Sequence, residues 1–266
     1  MKPLSEAEEL RLQQFFEKLA ASKTRLLLLD YDGTLAPFQE RRDQAFPAPG
    51  VREAVQAILR QGRTRVAVIS GRAIADLRPL LGIEPPPEMW GSHGREHLTP
   101  DGHYETLDLT PAAEAGLTSA EKWALERDLH PHIERKPGCI AIHWRSMNDG
   151  ERQQFPAAAK TAWSALTRPA TLELHEFDGG LELRVPGRNK GDAVRAILDN
   201  MDLDGLTCAF LGDDLTDEDA FAVLRPLGQL CVLVRPEHRS TLATVWIRPY
   251  DDLLEFLYRW KESIAD

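Results

Sequence analysis

The sequence contains little cysteine, with three among 266 residues. Cys139, Cys208 and Cys231 lie far apart, and the chain has neither a Cys-x-x-Cys pair nor the spacing of a zinc site. Because each of them sits in an apolar run, we expect buried, reduced thiols. The sequence therefore predicts no disulfide framework, and reduced thiols favour a cytoplasmic location.

Basic residues are also in deficit. The chain has 32 lysines and arginines against 42 aspartates and glutamates, for a net charge of −10. Proteins that bind nucleic acid or anionic membranes usually carry a basic patch, and the nearest candidate here is the short pair Arg41 and Arg42. We therefore expect no nucleic-acid partner, and a phosphorylated substrate would need a local cation to bind.

Long apolar runs are missing as well. The purely aliphatic run from Leu26 to Leu29 has four residues, far below the roughly 20 that cross a bilayer as a helix. The first ten residues, MKPLSEAEEL, are acidic and polar, so we expect no secretory signal there. We expect no membrane association, and we expect the protein to be a monomer.

Apolar strands that alternate with helical segments occur near both ends of the chain. Segments that are apolar on both faces are predicted at residues 25–30, 64–70, 88–93, 206–212 and 229–234. This alternation is typical of a parallel sheet with helices on both sides. We therefore predict an α/β fold whose core is a Rossmann-like parallel sheet.

The middle of the chain follows a different pattern. Apolar and polar residues alternate at residues 103–108, 139–145, 171–176 and 181–185. Such alternation is typical of antiparallel strands with one exposed face, and helical stretches lie between them. We predict an inserted α+β domain at residues 98–185, which interrupts a core formed by residues 1–97 and 186–266.

Polar residues follow the predicted parallel strands at their carboxyl ends, which is where open α/β sheets bind ligands. The residues expected at this edge are Asp30, Asp32, Ser70, Gly71, Arg72, Asp213, Asp214 and Asp217. Lys190 opens the first helix after the insertion. We expect these side chains to converge on one site.

Asp30 and Asp32 are two residues apart, and Gly33 allows the chain to turn sharply after them. An aspartate that attacks phosphorus forms an acyl phosphate, which divides one difficult transfer into two easier ones. A second carboxylate then protonates the leaving oxygen and later deprotonates a water. The pair suits hydrolysis of a phosphate ester with Asp30 as the nucleophile, whereas an Asx turn after a strand is the structural alternative.

The expected site holds more carboxylates than cations. Its acids are Asp30, Asp32, Asp213, Asp214 and Asp217. Only Lys190 obviously opposes them, and close carboxylates cannot all ionise in a low-dielectric site without a further cation. A hard divalent ion with oxygen ligands, such as Mg²⁺, resolves the repulsion. The alternative for the acids after residue 212 is a solvated helix start, which the helix dipole favours.

Ser70 and Lys190 are candidates for holding a phosphoryl group. Ser70 and Gly71 precede a predicted helix, and helix N-termini bind anions, although serine is equally common there as a plain cap. A lysine at a helix start opposes the helix dipole. Its position makes sense if it faces a phosphate and Asp30, and a solvated lysine is the alternative.

Four motifs, taken in this order, resemble the haloacid-dehalogenase-like phosphatases: DYDGTL at residues 30–35, Ser70, Lys190 and GDDLTDED at residues 212–219. The insertion also matches the position of the larger type of cap domain in that superfamily. The resemblance implies that Asp30 is the nucleophile and that Asp32 is the general acid and base. It also implies that Ser70 and Lys190 hold the phosphoryl group.

The same resemblance implies a magnesium site. Asp30 and the backbone carbonyl of Asp32 would contact the ion, and Asp213 would anchor it. The next acid of the metal shell is left open between Asp214 and Asp217. Mg²⁺ is therefore the expected cofactor.

A narrower resemblance, to the trehalose-6-phosphate phosphatases, runs through most of the chain. It is carried by Gly91, His93, Gly94, Glu96, Glu134, Lys136, His143, Arg145, Glu182, Arg184 and Asn189. The chain departs from the usual pattern at Trp144, where a tyrosine is commoner. The resemblance implies that the inserted domain is a cap that reads a phosphorylated disaccharide, and that the activity belongs to trehalose biosynthesis.

The substrate-binding residues implied by both resemblances form one larger set. They are Ser70, Gly71, Arg72, His93, Glu96, Glu134, Lys136, His143, Arg145 and Glu182. Carboxylates, lysine and arginine make charge-assisted hydrogen bonds to sugar hydroxyls. Exposed charges on an ordinary strand are the structural alternative for those in the cap.

Other functions fit the same motifs. A phosphatase for sucrose phosphate or mannosylphosphoglycerate would share the core chemistry. A phosphohexomutase would need a second phosphate site, of which the sequence offers no clear sign. A sugar-phosphate sensor without activity would be favoured if Asp30 or Asp32 were replaced, and both are present.

Overall fold

A computed structural model describes residues 4–39, 41–144, 147–177 and 179–265. The chain divides into a larger unit, Met1–Tyr104 with Asn189–Asp266, and a smaller unit, Glu105–Arg188. The predicted insertion began at residue 98, whereas the smaller unit begins at Glu105, within a short strand at Tyr104–Thr106 that pairs at the edge of the larger sheet. In the described part of the chain, each helix is too short or too polar to span a lipid bilayer.

The strands and helices follow one another in this order. The strands are β1 (Thr24–Leu29), β2 (Arg65–Ile69), β3 (Glu88–Gly91), β4 (Glu96–Leu98), β5 (Tyr104–Thr106), β6 (Ile133–Lys136), β7 (Cys139–His143), β8 (Glu173–Phe177), β9 (Gly180–Arg184), β10 (Leu206–Gly212), β11 (Leu230–Val234) and β12 (Val245–Ile247). The helices are α1 (Glu6–Ala21), α2 (Val51–Gln61), α3 (Ile74–Leu81), α4 (Pro111–Leu125), α5 (Asp149–Ser164), α6 (Lys190–Asp199), α7 (Glu218–Leu224) and α8 (Asp251–Ser263).

The larger sheet has the strand order β12-β11-β10-β1-β2-β3-β4-β5. Pairing is parallel from β12 through β3, and β4 is antiparallel to β3. The chain proceeds from β1 in one direction through β2 and β3, and later in the other direction through β10, β11 and β12. The gap between β1 and β10 is therefore the switch point, where such sheets bind ligands.

Strand β1 shows why this sheet is covered on both faces. Leu27 and Leu29 lie in the core shared with α1, α2, α3 and α8, whereas Leu26 and Leu28 lie in the core shared with α6 and α7. All four leucines are fully buried. The predicted α/β core with a parallel sheet is confirmed, because apolar residues on both faces require helices on both faces.

The smaller unit is an antiparallel sheet with the order β6-β7-β9-β8. One face packs on α4 and α5 through Ile140, Ile142, Leu181 and Leu183, and Trp163 is fully buried among them. The opposite face carries charged side chains. This one-sided burial produces the alternation seen in the sequence.

Two details differ from the sequence prediction. Residues 103–108 were expected in the inserted sheet, but β5 is an edge strand of the larger sheet. The strands β4 and β6 were not predicted, because they are only three and four residues long and most of their side chains are charged or polar. Alternation identifies a half-exposed strand, but it does not identify the strand with which it pairs.

Candidate active site

Asp30 lies directly after β1 and is only 3% exposed. Lys190 Nζ donates to Asp30 Oδ1 at 2.5 Å, and Thr34 Oγ1 donates to Asp30 Oδ2 at 3.2 Å. The backbone N–H of Asp30 donates to Leu211 O at 2.9 Å. The predicted nucleophile is thus anchored at the switch point, with a cation on one carboxylate oxygen.

Lys190 bridges two carboxylates from different strand ends. Its Nζ also donates to Asp217 Oδ1 at 2.7 Å. Burial would lower the pKa of Lys190, but the charges of Asp217 and Asp30 raise it, so this lysine stays protonated. The first-turn lysine of α6 is therefore buried and paired, and the alternative of a solvated lysine is wrong.

The segment after β10 folds back on itself through Asp217. Asp217 Oδ2 accepts the backbone N–H groups of Asp213 and Asp214, both at 2.9 Å. Asp217 is fully buried and Asp213 is 3% exposed, whereas Asp214 is exposed. The alternative of a solvated acidic helix start therefore does not hold for Asp213 and Asp217.

Three carboxylates meet at this edge of the sheet. In the described residues, Asp30, Asp213 and Asp217 each offer an oxygen, and these oxygens lie within 4.8 Å of one another. Burial, with the added repulsion of neighbouring carboxylates, raises the pKa of Asp30 to about 7 and that of Asp213 to about 9. Lys190 alone does not offset three buried acids, so this oxygen donor set fits a hard divalent cation such as Mg²⁺.

Asp214 was left open as a further metal ligand, and Asp32 was expected to contribute its backbone carbonyl. Neither carboxylate belongs to the buried group of acids found in the described residues. Of the two acids that the sequence left open, Asp217 is the one that lies beside Asp30 and Asp213.

Gly33 makes the close approach of these acids possible. Its φ is +80°, in the left-handed region that favours glycine. A Cβ atom placed on Gly33 would overlap the carboxylate of Asp213. The glycine of the DYDGTL motif therefore serves both the turn and the packing of the two strand ends.

Asp32 is held by Arg72 in a two-pronged ion pair. Arg72 Nε donates to Asp32 Oδ2 at 2.7 Å, and Arg72 Nη2 donates to Asp32 Oδ1 at 2.6 Å. Arg72 Nη1 donates to Arg42 O at 2.9 Å. Burial would lower the pKa of Arg72, but its contacts with Asp32 raise it. Substrate binding by Arg72 stays a prediction, and its guanidinium contacts the carboxylate of Asp32, the predicted acid and base.

Ser70 and His93 lie together beside this pair. Ser70 is 1% exposed, its Oγ accepts the N–H of Arg72 at 3.1 Å, and its carbonyl accepts the N–H of His93 at 3.0 Å. The His93 ring packs on Gly71, where an added Cβ would come within 2.6 Å of Cε1. His93 and its neighbour Ser92 have φ of 57° and 48°, which is unusual for residues other than glycine.

Glu96 lies in the same region, but its carboxylate has internal partners. It accepts from Ser92 Oγ at 2.5 Å, from Tyr104 Oη at 2.9 Å and from the N–H of Ile74 at 3.3 Å. Ile74 is the first residue of α3, whose N-cap side chain makes no such bond. Glu96 therefore caps a helix, a structural use that the sequence prediction of substrate binding did not include.

The charged face of the smaller unit brings together residues from three strands. Glu134 Oε2 lies 3.0 Å from His143 Nε2, and Lys136 Nζ donates to Glu182 Oε1 at 3.2 Å. Lys136 Nζ also lies 3.7 Å from Glu134 Oε2. The cross-strand pairing of Glu134 with Ala141 and of Ala141 with Glu182 explains this grouping. The predicted residue Arg145 lies outside the described residues.

Two contributors to the site were missed by the sequence analysis. Thr34 contacts Asp30 and lies inside the DYDGTL motif, so the motif itself was the available signal. Arg239 donates to the backbone carbonyl of Asp214 at 2.7 Å. No local pattern reveals this contact, because the two residues are 25 positions apart.

Comparison with known sequences gives one family. A family model described as trehalose-phosphatase matches residues 28–244 of the chain. The trehalose-phosphate phosphatase of Mycobacterium bovis is 34% identical over 213 residues, which cover 76% of this chain and 52% of that protein. The chain therefore spans about half the length of this curated relative.

Solved structures share the fold. The C-terminal domain of Candida albicans trehalose-6-phosphate phosphatase superposes with a TM-score of 0.79 at 21% identity, covering 96% of this chain and 97% of that one. A haloacid dehalogenase-like hydrolase from B. subtilis superposes with a TM-score of 0.58 at 16% identity, covering 89% and 99%. The predicted haloacid-dehalogenase-like fold is confirmed.

Proposed function

The chain belongs to the trehalose-phosphatase family, and we propose that it hydrolyses trehalose 6-phosphate to trehalose and phosphate in a Mg²⁺-dependent reaction. The observation that carries the proposal is the contact of Asp30 with Lys190 inside a buried group of acids at the switch point. A nucleophile, a phosphate-binding cation and a cation site are the three parts that phosphoryl transfer requires.

In the first step, a carboxylate oxygen of Asp30 attacks phosphorus, and the bond from phosphorus to the sugar oxygen breaks. Asp32 donates a proton to that leaving oxygen. Lys190 and Ser70 hold the phosphoryl oxygens and keep the phosphorus in line with Asp30. These roles are supported by the burial of Asp30, Ser70 and Lys190 and by the contact between Lys190 and Asp30.

In the second step, Asp32 accepts a proton from a water, whose oxygen attacks the phosphorus of the aspartyl phosphate. The bond from phosphorus to Asp30 breaks, and phosphate leaves. The Arg72 guanidinium donates to both carboxylate oxygens of Asp32 and so fixes their orientation. Arg72 therefore positions Asp32 for proton transfer from the water.

The residues that would hold Mg²⁺ are Asp30, Asp213 and Asp217, whose oxygens lie close together. When bound, the ion neutralises charge on the phosphoryl oxygens and offsets the repulsion between the acids and the substrate. We propose that the backbone carbonyl of Asp32 joins this set, as in the related phosphatases. The fully buried position of Asp217 favours it over the exposed Asp214.

We propose that the charged face of the smaller unit recognises the sugar. Glu134, Lys136, His143 and Glu182 form a connected group of donors and acceptors there. Hydroxyls of a disaccharide can replace parts of this network with charge-assisted hydrogen bonds. His93 and Arg145 are assigned to substrate binding by the family pattern.

We also propose that the protein works as a cytoplasmic monomer. Cys139, Cys208 and Cys231 are buried free thiols, and burial raises the pKa of Cys139 and that of Cys231 to about 12. Buried thiols with raised pKa values react poorly and suit a reducing compartment.

The proposal is tested by phosphate release from a panel of sugar phosphates, with Mg²⁺ and with EDTA. Trehalose 6-phosphate is expected to be preferred, and EDTA is expected to abolish release. Asp30→Asn is the control, because it keeps the side-chain volume while removing the nucleophile, and it should release no phosphate. Wild-type turnover by Asp30→Asn would contradict the mechanism.

Two other results would change the assignment. Metal-dependent release from sucrose phosphate or mannosylphosphoglycerate in preference would keep the chemistry and replace the substrate. Retention of the phosphate with a bisphosphate requirement would indicate a phosphohexomutase. If the folded protein binds a sugar phosphate but hydrolyses none of the panel, the result would indicate a sensor.

A further inference from the structure

Two arginines that follow β11 contact the backbone of the acidic segment after β10. Arg239 Nη2 donates to Asp214 O at 2.7 Å, and Arg239 Nε lies 3.4 Å from Asp213 O. Arg235 Nη1 also donates to Asp213 O, at 3.1 Å. The carbonyl of Asp213 therefore faces two guanidinium groups while its carboxylate lies among the buried acids.

Arg239 is itself held in place. Its Nη1 pairs with Glu218 Oε1 and donates to Ser240 O at 2.9 Å. Glu218 also accepts from Thr241 Oγ1 and from the N–H of Leu242, both at 2.7 Å. Glu218 opens α7, so the arginine is fixed to the same segment from two sides. These bonds orient the guanidinium before any ligand arrives.

Arg235 has a separate anchor. The indole Nε1 of Trp246 donates to Arg235 O at 2.9 Å, and the N–H of Arg235 donates to Ile247 O at 3.0 Å. Both partners belong to β12, at the end of the sheet. Arg235 thus ties the acidic segment to the sheet, and Arg239 ties it to α7.

These contacts fix the backbone of Asp213 on both sides of its side chain. The N–H of Asp213 is bonded to Asp217, and its carbonyl is bonded to arginine. With both peptide groups fixed, the direction of the Asp213 carboxylate is set before the cation binds. Charge-assisted hydrogen bonds are stronger than neutral ones, which suits this use of arginine.

We propose that Arg239, assisted by Arg235, is a positioning residue that orients Asp213 for binding a divalent cation. The proposal rests on the proposed function for the identity of the cation, Mg²⁺. Within the described part of the chain, neither arginine forms a hydrogen bond or an ion pair with Asp30, Asp32 or Lys190. Their effect reaches the site through the backbone of Asp213 and Asp214.

The test measures Mg²⁺ binding directly, by isothermal titration calorimetry of the full chain without substrate. Arg239→Ala is expected to bind Mg²⁺ about 10-fold more weakly than the wild type, the lower end of the effect of outer-shell partners on metal affinity. Arg239→Lys should recover part of the affinity, because a lysine can reach one carbonyl but not two. Arg235→Ala should give a smaller loss.

Arg78→Ala is the matched control. Arg78 forms an exposed ion pair with Glu84, and its side chain is 47% exposed. Its substitution also removes one arginine from an ion pair, but it should leave Mg²⁺ affinity unchanged. In phosphate release, Arg239→Ala should raise the half-saturating Mg²⁺ concentration by the same factor as the loss of affinity, with an unchanged KM for the sugar phosphate.

The outcomes separate the two proposals. Wild-type Mg²⁺ affinity in a folded Arg239→Ala protein overturns the positioning role and leaves the proposed function intact. If Arg239→Ala does not fold, the positioning role is overturned when both Arg239→Lys and Arg235→Ala bind Mg²⁺ with wild-type affinity. A wild-type protein that binds Mg²⁺ but hydrolyses no sugar phosphate overturns the proposed function, whereas weaker binding by Arg239→Ala would still support the positioning role.

Discussion

The acids proposed to react are held in place by the side chains around them. Asp30 depends on Lys190 and Thr34, and Asp32 depends on Arg72. A carboxylate that accepts hydrogen bonds at both oxygens is held in one orientation. The residue scale is therefore where the proposed mechanism is most easily tested.

Arg72→Ala is expected to lower the steady-state turnover of p-nitrophenyl phosphate by about 100-fold, the lower end of the range of general acid–base effects. The loss falls on the second step, because Arg72 orients the Asp32 carboxylate that accepts a proton from water. The first step needs no acid with this leaving group. Stopped-flow absorbance should therefore show a rapid burst of p-nitrophenolate that matches the enzyme concentration.

Arg42→Ala is the control for this variant, since Arg42 contacts Arg72 through its backbone carbonyl, which the substitution retains. Equal steady-state rates for Arg72→Ala and wild type would show that Arg72 does not support Asp32.

Lys136→Met is expected to reduce kcat/KM for trehalose 6-phosphate by about 10- to 100-fold, the effect of losing a hydrogen bond to a charged group. Hydrolysis of p-nitrophenyl phosphate should change little, because this substrate has no sugar. Lys160→Met is the control, since Lys160 pairs with Glu176 in the same unit but is 57% exposed. Equal losses on both substrates would contradict sugar recognition by Lys136.

At the scale of elements, the ends of the strands determine which side chains lie together in the candidate site. The β1–β10 switch point collects Asp30 and Asp213, and α6 brings Lys190 to them. A different cluster joins β2, β3 and β4. Glu88 accepts from Arg65 at 2.7 and 3.1 Å and from Trp90 Nε1 at 3.0 Å, and it lies 3.0 Å from His97 Nε2. This cluster ties three neighbouring strands through one buried carboxylate.

Glu88 predicts how this part of the sheet responds to acid. Burial would raise its pKa, but hydrogen bonds from His97, Arg65 and Trp90 and the charge of Arg65 lower it from 4.5 to about 2. A carboxylate whose pKa is lower in the folded state contributes stability above its unfolded value, and that contribution is lost as the pH falls toward the folded value. The free energy of unfolding should therefore lose about 3 kcal/mol from this group between pH 5 and pH 2.

The measurement is urea unfolding of wild type and Glu88→Gln across that pH range. The difference in free energy of unfolding between them should shrink as the pH falls, while acids common to both proteins cancel. Glu84→Gln serves as control, because Glu84 forms an exposed ion pair and its side chain is 66% exposed. A Glu88→Gln difference that stays constant with pH would refute the lowered pKa.

At the scale of the whole molecule, buried acids make the larger unit sensitive to cations. Asp30, Asp213 and Asp217 lie close together at one edge of the larger sheet, and Lys190 contacts Asp30 and Asp217. A ligand that binds only the folded state stabilises it in proportion to the logarithm of its concentration. The metal site should therefore be visible in the stability of the protein without any substrate.

Saturating Mg²⁺ is expected to raise the unfolding free energy by about 2.7 kcal/mol at 100 times its Kd. The Tm should rise by roughly 5 to 10 °C relative to EDTA for a unit of this size. Differential scanning calorimetry measures this directly. Asp213→Asn should lose most of the shift, and an equal shift in that variant would place the cation elsewhere.

Much of this architecture was predictable from the sequence because the patterns are local. Apolar runs such as residues 206–212 predict buried strands wherever they pair. The DYDGTL and GDDLTDED motifs, with Ser70 and Lys190, identified the α/β core and predicted the candidate site. The capping box of Ser5 and Glu8 at the start of α1 is a further local pattern, Ser-x-x-Glu.

Other features depended on contacts between distant residues. Arg72 contacts Asp32 across 40 positions, and Arg239 contacts Asp214 across 25. Glu96 caps α3 from 22 residues away, a contact that its predicted role in substrate binding did not include. Such pairings follow from strand order and crossovers, which one sequence does not specify.

The sequence alone therefore determined which residues are chemically suited to the site and which strands deliver them, because strand periodicity and turn chemistry act over a few residues. Only the tertiary structure decided that Asp217, rather than Asp214, lies with Asp30 and Asp213. It also decided that Arg72 contacts the carboxylate of Asp32 and that Arg239 contacts the backbone of Asp214. The reason is that a buried charge takes its partner from whatever the fold brings within hydrogen-bond distance, regardless of separation along the chain.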